Sequence, residues 1–149
     1  MNSATPTPSI DLALAARLRL VITRTARRLR QEADADLTPS QVAALASIEK
    51  RGPLTPSELA DIERIQRPTA TRVAAHLTER GLVERADDPG DGRVSLLSVS
   101  DEGRTLLDEV RSRKNAYLAV RMAELSAGDR AALKRAAQVL ERMLEDRET

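Results

Sequence analysis

Residues 87–103, DDPGDGRVSLLSVSDEG, constrain the fold more than any other stretch. The first six residues are dense in turn formers, an apolar-rich run of strand type follows, and Ser100 with Asp101 and Glu102 then starts a helix. The stretch reads as a tight, charged hairpin, with LVERA (82–86) and VSLLSV (94–99) as its strands and Arg93 at its tip. Most of the remaining chain has helical periodicity. A fold must therefore seat one hairpin in a helical protein and give its arginine a purpose.

The flanking elements narrow the choice. From Ile10 to about Gln31, Leu14, Leu18, Val21, Thr25 and Leu29 recur in steps of three and four, marking one helix face. Asp34 to Leu37 is a break. TPSQ (38–41) and TPSE (55–58) each place Thr as N-cap, Pro at the first helical position and Gln or Glu three residues after the cap, a capping box used twice. The first of these helices stops at Gly52-Pro53, and the second is short. A further helix, QRPTATRVAAHLTERG, ends at Gly81, a good left-handed terminator. Beyond the hairpin, Ser100 caps a long helix to about Leu125, and SAGD (126–129) opens a last one striped by Leu133, Ala136, Leu140 and Leu144. This order predicts a mainly α protein with a small β-hairpin: a winged helix-turn-helix module over 38–99, flanked by long N- and C-terminal helices at 10–33 and 101–147 that can bury their stripes on each other or, as dimerisation helices, on a second chain, in one domain of residues 1–149.

Composition excludes several other classes. With 41% apolar and 32% charged residues the chain has the balance of a globular protein. Tyr117 is its one aromatic residue, so the core must be built from Leu, Val, Ile and Ala, which favours helices over a β-sandwich. A net charge of +1 makes any electrostatic argument a local one. There is no cysteine, hence no disulfide, thiolate metal site or thiol redox sensor, and a single histidine, His76, makes no metal site. No cofactor is expected. MNSATPTPS has neither the basic nor the apolar region of a signal peptide, and no apolar run is of membrane-spanning length, so a cytoplasmic protein without membrane association is expected. Gly-rich phosphate loops, G-x-S-x-G and Cys/His pairs are missing, which argues against an enzyme.

At this point the sequence resembles the multiple-antibiotic-resistance regulator (MarR) family of bacterial transcription factors, over about residues 10–145. DGRVSLLSVSDEG is similar to the family's wing, with Asp91, Arg93, Val99, Ser100 and Gly103 in the matching places, and RPTATRVAAHLTERGLVER is similar to its recognition helix and the exit into the wing. The resemblance implies a homodimer with interleaved terminal helices that binds double-stranded DNA, the recognition helix reading the major groove and the wing arginine entering the minor groove. It also implies a transcriptional regulator, a repressor in the expected case, reading a pseudo-palindromic operator and released by a small amphipathic or aromatic acid. One position departs from the family pattern: Gln66 precedes Arg67 where a Ser or Thr cap is frequent.

Within the recognition helix region, residues 64–76 hold Arg64, Arg67, Arg72 and His76 and no Asp or Glu. Gln66, Arg67, Thr69, Thr71 and Arg72 can donate to phosphates or base edges, at a helix end that itself carries partial positive charge. In the wing, Asp91 is expected to orient Arg93 through a charge-assisted bond, with Asp87 and Asp88 at the wing base and turned away. Ser40, Gln41, Ser57 and Arg85 are candidate phosphate contacts, although capping and surface roles account for them equally well. An effector cleft implied by the resemblance would use Leu14, Arg17 and Leu18 of the first helix, Ala44 and Ile48 of the second, and Tyr117. The competing reading is a helical protein-interaction module without DNA specificity. It explains the amphipathic ends but leaves the hairpin arginine without a role.

Overall fold

A computed structural model describes residues 11–145. The expected N-terminal tail, Ile10 and the positions after residue 145 lie outside the described residues. The order is α1 (Leu12–Ala33), α2 (Pro39–Arg51), α3 (Pro56–Glu63), α4 (Arg67–Glu79), β1 (Val83–Asp88), β2 (Asp91–Val99), α5 (Asp101–Ala123) and α6 (Ala127–Glu145).

Local chemistry sets most helix starts. Asp11 caps α1, accepting from the Leu14 N–H. Both capping boxes close. The Gln41 N–H donates to Thr38 Oγ1 at 3.2 Å while Gln41 Oε1 accepts from the Thr38 N–H at 2.9 Å, and Thr55 and Glu58 repeat the exchange at 3.1 and 2.7 Å. Ser126 Oγ accepts from the Asp129 N–H at the start of α6.

The core lies in the winged module. Leu45 and Ile48 of α2, Leu59 of α3, Leu77 of α4 and Leu97 of β2 are its largest fully buried side chains, and Leu107 of α5 closes it. Ala70 and Ala74 are also fully buried, so small residues let α4 pack closely. Leu54 joins the hairpin by a one-residue bridge, exchanging backbone bonds with Leu97 at 2.7 and 3.1 Å. The terminal helices differ from this. Ala33 is the one buried residue of α1, α6 has none among its described residues, and Leu12, Leu14, Val21, Ile22, Leu133, Val139, Met143 and Leu144 are exposed.

One joint fastens the exit of α4 to the entry of α5. Gly81 takes φ +71°, the left-handed conformation that ends a helix cheaply only in glycine. The buried Ser100 donates its hydroxyl to the Gly81 carbonyl at 2.6 Å and accepts from the Gly103 N–H at 3.0 Å. A Cβ on Gly103 would collide with the Leu82 carbonyl.

Candidate nucleic-acid interface

Helix α4 presents an uncapped start. Gln66 is extended, with φ −70° and ψ 147°, and its side chain makes no capping bond. The first-turn N–H groups of α4 therefore have no side-chain acceptor at the cap position, where the helix dipole adds positive charge. Gln66, Arg67, Thr71 and Arg72 are exposed and Thr69 is half-buried. The Thr71 hydroxyl already donates to the Arg67 carbonyl at 3.0 Å, so it faces any ligand as an acceptor. Arg64 sits apart from α4: it is the left-handed C-cap of α3, at φ +53°.

The wing is longer and tighter than its composition suggests. Strand pairing runs from Val83↔Val99 to Asp88↔Asp91, leaving Pro89 and Gly90 as the turn. Arg93 therefore lies on β2, two residues beyond the last pair, instead of at the tip. Asp88 is at the tip instead of the base, where its Oδ1 accepts from the Gly90 N–H at 2.8 Å. Asp91 Oδ1 accepts from the backbone N–H of Arg93 at 3.0 Å, and no ion pair joins the two side chains among the described residues. Asp91 thus shapes the strand under Arg93 and leaves the guanidinium free. Both acidic side chains are bent back onto backbone donors, the habit of Asp in tight turns, which lowers their conflict with an approaching polyanion.

The remaining candidates separate into free and committed groups. Ser40 and Ser57 are exposed in the first turns of α2 and α3. Gln41 is half-buried and occupied by its capping box. Arg85 of β1 is exposed, and its Nε lies 3.5 Å from Thr78 Oγ1 at the end of α4. Four arginines elsewhere find carboxylates: Arg28 with Glu32, Arg80 with Asp36, Arg104 with Asp101, and Arg111 with Glu49 and Asp108. Among the described residues Arg67, Arg72 and Arg93 make no such pair.

This arrangement has close counterparts. A family model described as MarR family matches residues 35–94. An HTH-type transcriptional regulator of Mycobacterium tuberculosis is 38% identical over 131 residues, 87% of this chain and 92% of its own. The chain belongs to the MarR family. It is a transcriptional regulator with a DNA-binding winged helix-turn-helix, as the sequence led one to expect. A crystal structure from Pseudomonas aeruginosa, described as that of a transcriptional regulator, superposes with a TM-score of 0.81 at 36% identity, covering 93% of this chain and 98% of the other. The transcriptional repressor MdtR of Bacillus subtilis is 35% identical over 83 residues, 56% of this chain and 54% of its own.

The six effector candidates fall in different environments. Ala44 and Ile48 are each 1% exposed and sealed in the core, while Leu14, Arg17 and Leu18 lie on the exposed first half of α1. Tyr117 has two guanidiniums close to its ring, Arg28 at 5.7 Å and Arg121 at 5.5 Å from the ring centre. An open cleft of about 410 Å³ lies instead where α1 meets α2 and α5, lined by Ala33, Leu37, Val42 and Val110 with Arg30 and Lys114 among its walls. Alternation of apolar residues could not reveal it, because core and cleft positions share one periodicity. Among the described residues no cluster of three or more His, Cys, Asp or Glu could hold a metal, and no helix is long and apolar enough to cross a membrane.

Proposed function

We propose that the chain is a homodimeric repressor that reads a pseudo-palindromic operator in duplex DNA. The observation that carries this reading is the placing of exposed arginines, Arg67 and Arg72 on α4 within a stretch (64–76) that holds no Asp or Glu, and Arg93 on the wing. Arg72, Gln66 and Thr69 read base edges in the major groove, where arginine pairs bidentately with guanine. Arg67, Ser40, Ser57 and Arg85 hold phosphates and set register. Arg93 enters the minor groove, whose narrow A/T-rich stretches concentrate negative potential. The exposed apolar faces of α1 and α6 support a second copy as partner, since water is a poor neighbour for so much aliphatic surface. The naming of MdtR, one of the relatives, as a repressor supports the sign of regulation. The apolar cleft with Arg30 and Lys114 suits a small amphipathic acid as the releasing ligand.

The test is a footprint of the purified protein on the DNA flanking its own gene, repeated over a salt series. A protected pseudo-palindrome is expected, with affinity falling linearly in log salt at about 0.9 per phosphate neutralised. Binding that ignores salt, or protection without sequence preference, would sink the reading.

A further inference from the structure

We propose that Arg113 and Arg80 are positioning residues for DNA reading, which hold the α1–α2 linker from α5 and from α4 and so fix where the recognition helix stands relative to the terminal helices. The proposal rests on the DNA-reading dimer described above. The linker begins at Asp34 and ends at Thr38, and two of its non-glycine residues have positive φ, Asp34 at 25° and Asp36 at 51°. Such conformations persist only where surrounding bonds enforce them. Here the bonds come from arginines distant in sequence. Arg113 Nη1 donates to the carbonyls of Ala33 at 2.8 Å and Asp34 at 3.0 Å, the end of α1, where carbonyls lack helical partners and a cation is favoured. Arg80, the C-cap of α4, donates through Nη1 to the Asp36 carbonyl at 3.2 Å and lies 3.6 Å from its carboxylate.

The consequence is mechanical. α1 enters the winged module through this linker, and Ala33 is its one buried residue. The recognition helix is tied to the same linker through Arg80. A displacement of α1 is therefore passed to α4 through a few backbone carbonyls. Ala33, Asp34, Ala35 and Leu37 also line the apolar cleft, so filling the cleft and moving the linker are the same event.

The chain has no cysteine, so a Glu79→Cys variant carries one spin label per protomer on the exposed end of α4. Label-to-label distances in the dimer are compared for this background, Arg113→Ala, Arg113→Lys and Asp36→Asn, all without DNA. Affinities of the unlabelled proteins are measured for the duplex that the parent selects from a random-sequence pool and for a scrambled duplex. Asp36→Asn keeps a side chain that tolerates positive φ and removes a negative charge. On charge alone it would tighten both duplexes. The clamp requires the reverse for the selected duplex: about 5- to 150-fold weaker binding in Arg113→Ala, a loss of up to about fivefold in Asp36→Asn, which keeps the carbonyl bond and removes only the exposed ion pair, unchanged binding to the scrambled one, a broadened distance distribution, and partial recovery in Arg113→Lys. Unaltered distances, or equal losses on both duplexes, overturn the proposal. Should Arg113→Ala not fold, Arg113→Lys and Asp36→Asn decide by the same two readouts. If the parent selects no sequence yet the distances broaden, the clamp stands and the DNA reading fails.

Discussion

Arg72 is exposed on α4 with no carboxylate partner among the described residues, so its removal leaves no buried charge behind and its effect on binding can be read directly. Arg72→Ala is expected to weaken operator binding by ~1–3 kcal/mol and to relax preference at one base pair per half-site. Arg67→Ala should weaken all duplexes alike and lower the salt slope by about one. Competition with operators varied base by base separates the two, and a uniform loss in Arg72→Ala would reassign it to a phosphate. A second residue-scale effect concerns acid stability. The Arg111 guanidinium, 2.6 Å from the Glu49 carboxylate, holds Glu49 below the usual carboxylate range. A carboxyl group lowered on folding contributes stability that is present above its unfolded value and is lost as pH falls through the folded one. The Glu49→Gln variant should therefore lose less stability than the parent between neutral and acid pH. The difference should be at the scale of an exposed pair, ~0.2–1 kcal/mol, because Arg111 is 49% exposed. Urea midpoints at several pH values would show it; parallel curves would deny Glu49 this part.

Between elements, the joint of α4, β1 and α5 leaves no space at Gly103. Alanine is the better helix former by about 1 kcal/mol, yet Gly103→Ala drives a methyl into the Leu82 carbonyl and should destabilise by ~1–3 kcal/mol. Gly128→Ala, whose added carbon would be 3.8 Å from its nearest neighbour Ser126 Oγ, is the control and should be neutral or stabilising. Thermal melting ranks them, and equal melting points would show that the joint relaxes. The same elements show what could be read in advance. The helices from Thr38, Thr55 and Ser100 were legible because each cap acts within three residues. The second bond of Ser100 spans 19 residues, and that of Arg113 to Ala33 spans 80, and no local pattern announces either. The wing strands run further into the turn than composition predicts, because Asp and Gly are turn residues by propensity while backbone pairing from Asp88 to Asp91 decides the outcome.

At the scale of the whole molecule, the proposed dimer would place two α4 helices about 34 Å apart, the repeat of successive major grooves. Acidic substitutions at Leu133 and Leu144, both exposed in the single chain, should leave the winged core intact while abolishing association. The double variant Leu133→Asp/Leu144→Asp is expected to sediment as a monomer, to retain cooperative melting, and to lose operator binding. A variant that sediments as a dimer with unchanged affinity would refute the use of α6. The exposed face of α1 has a further consequence during synthesis. α1 leaves the ribosome before α6, with more than a hundred residues between Leu12 and Leu133. At ~5–20 residues per second the face of Leu14, Val21 and Ile22 waits on the order of ten seconds for α6, and longer for another chain. Arg17, Arg19, Arg24, Arg27 and Arg28 are interspersed in sequence with those apolar residues. Charges set among apolar residues act as gatekeepers against premature self-association, so the arginines of α1 guard the nascent chain while that face is uncovered.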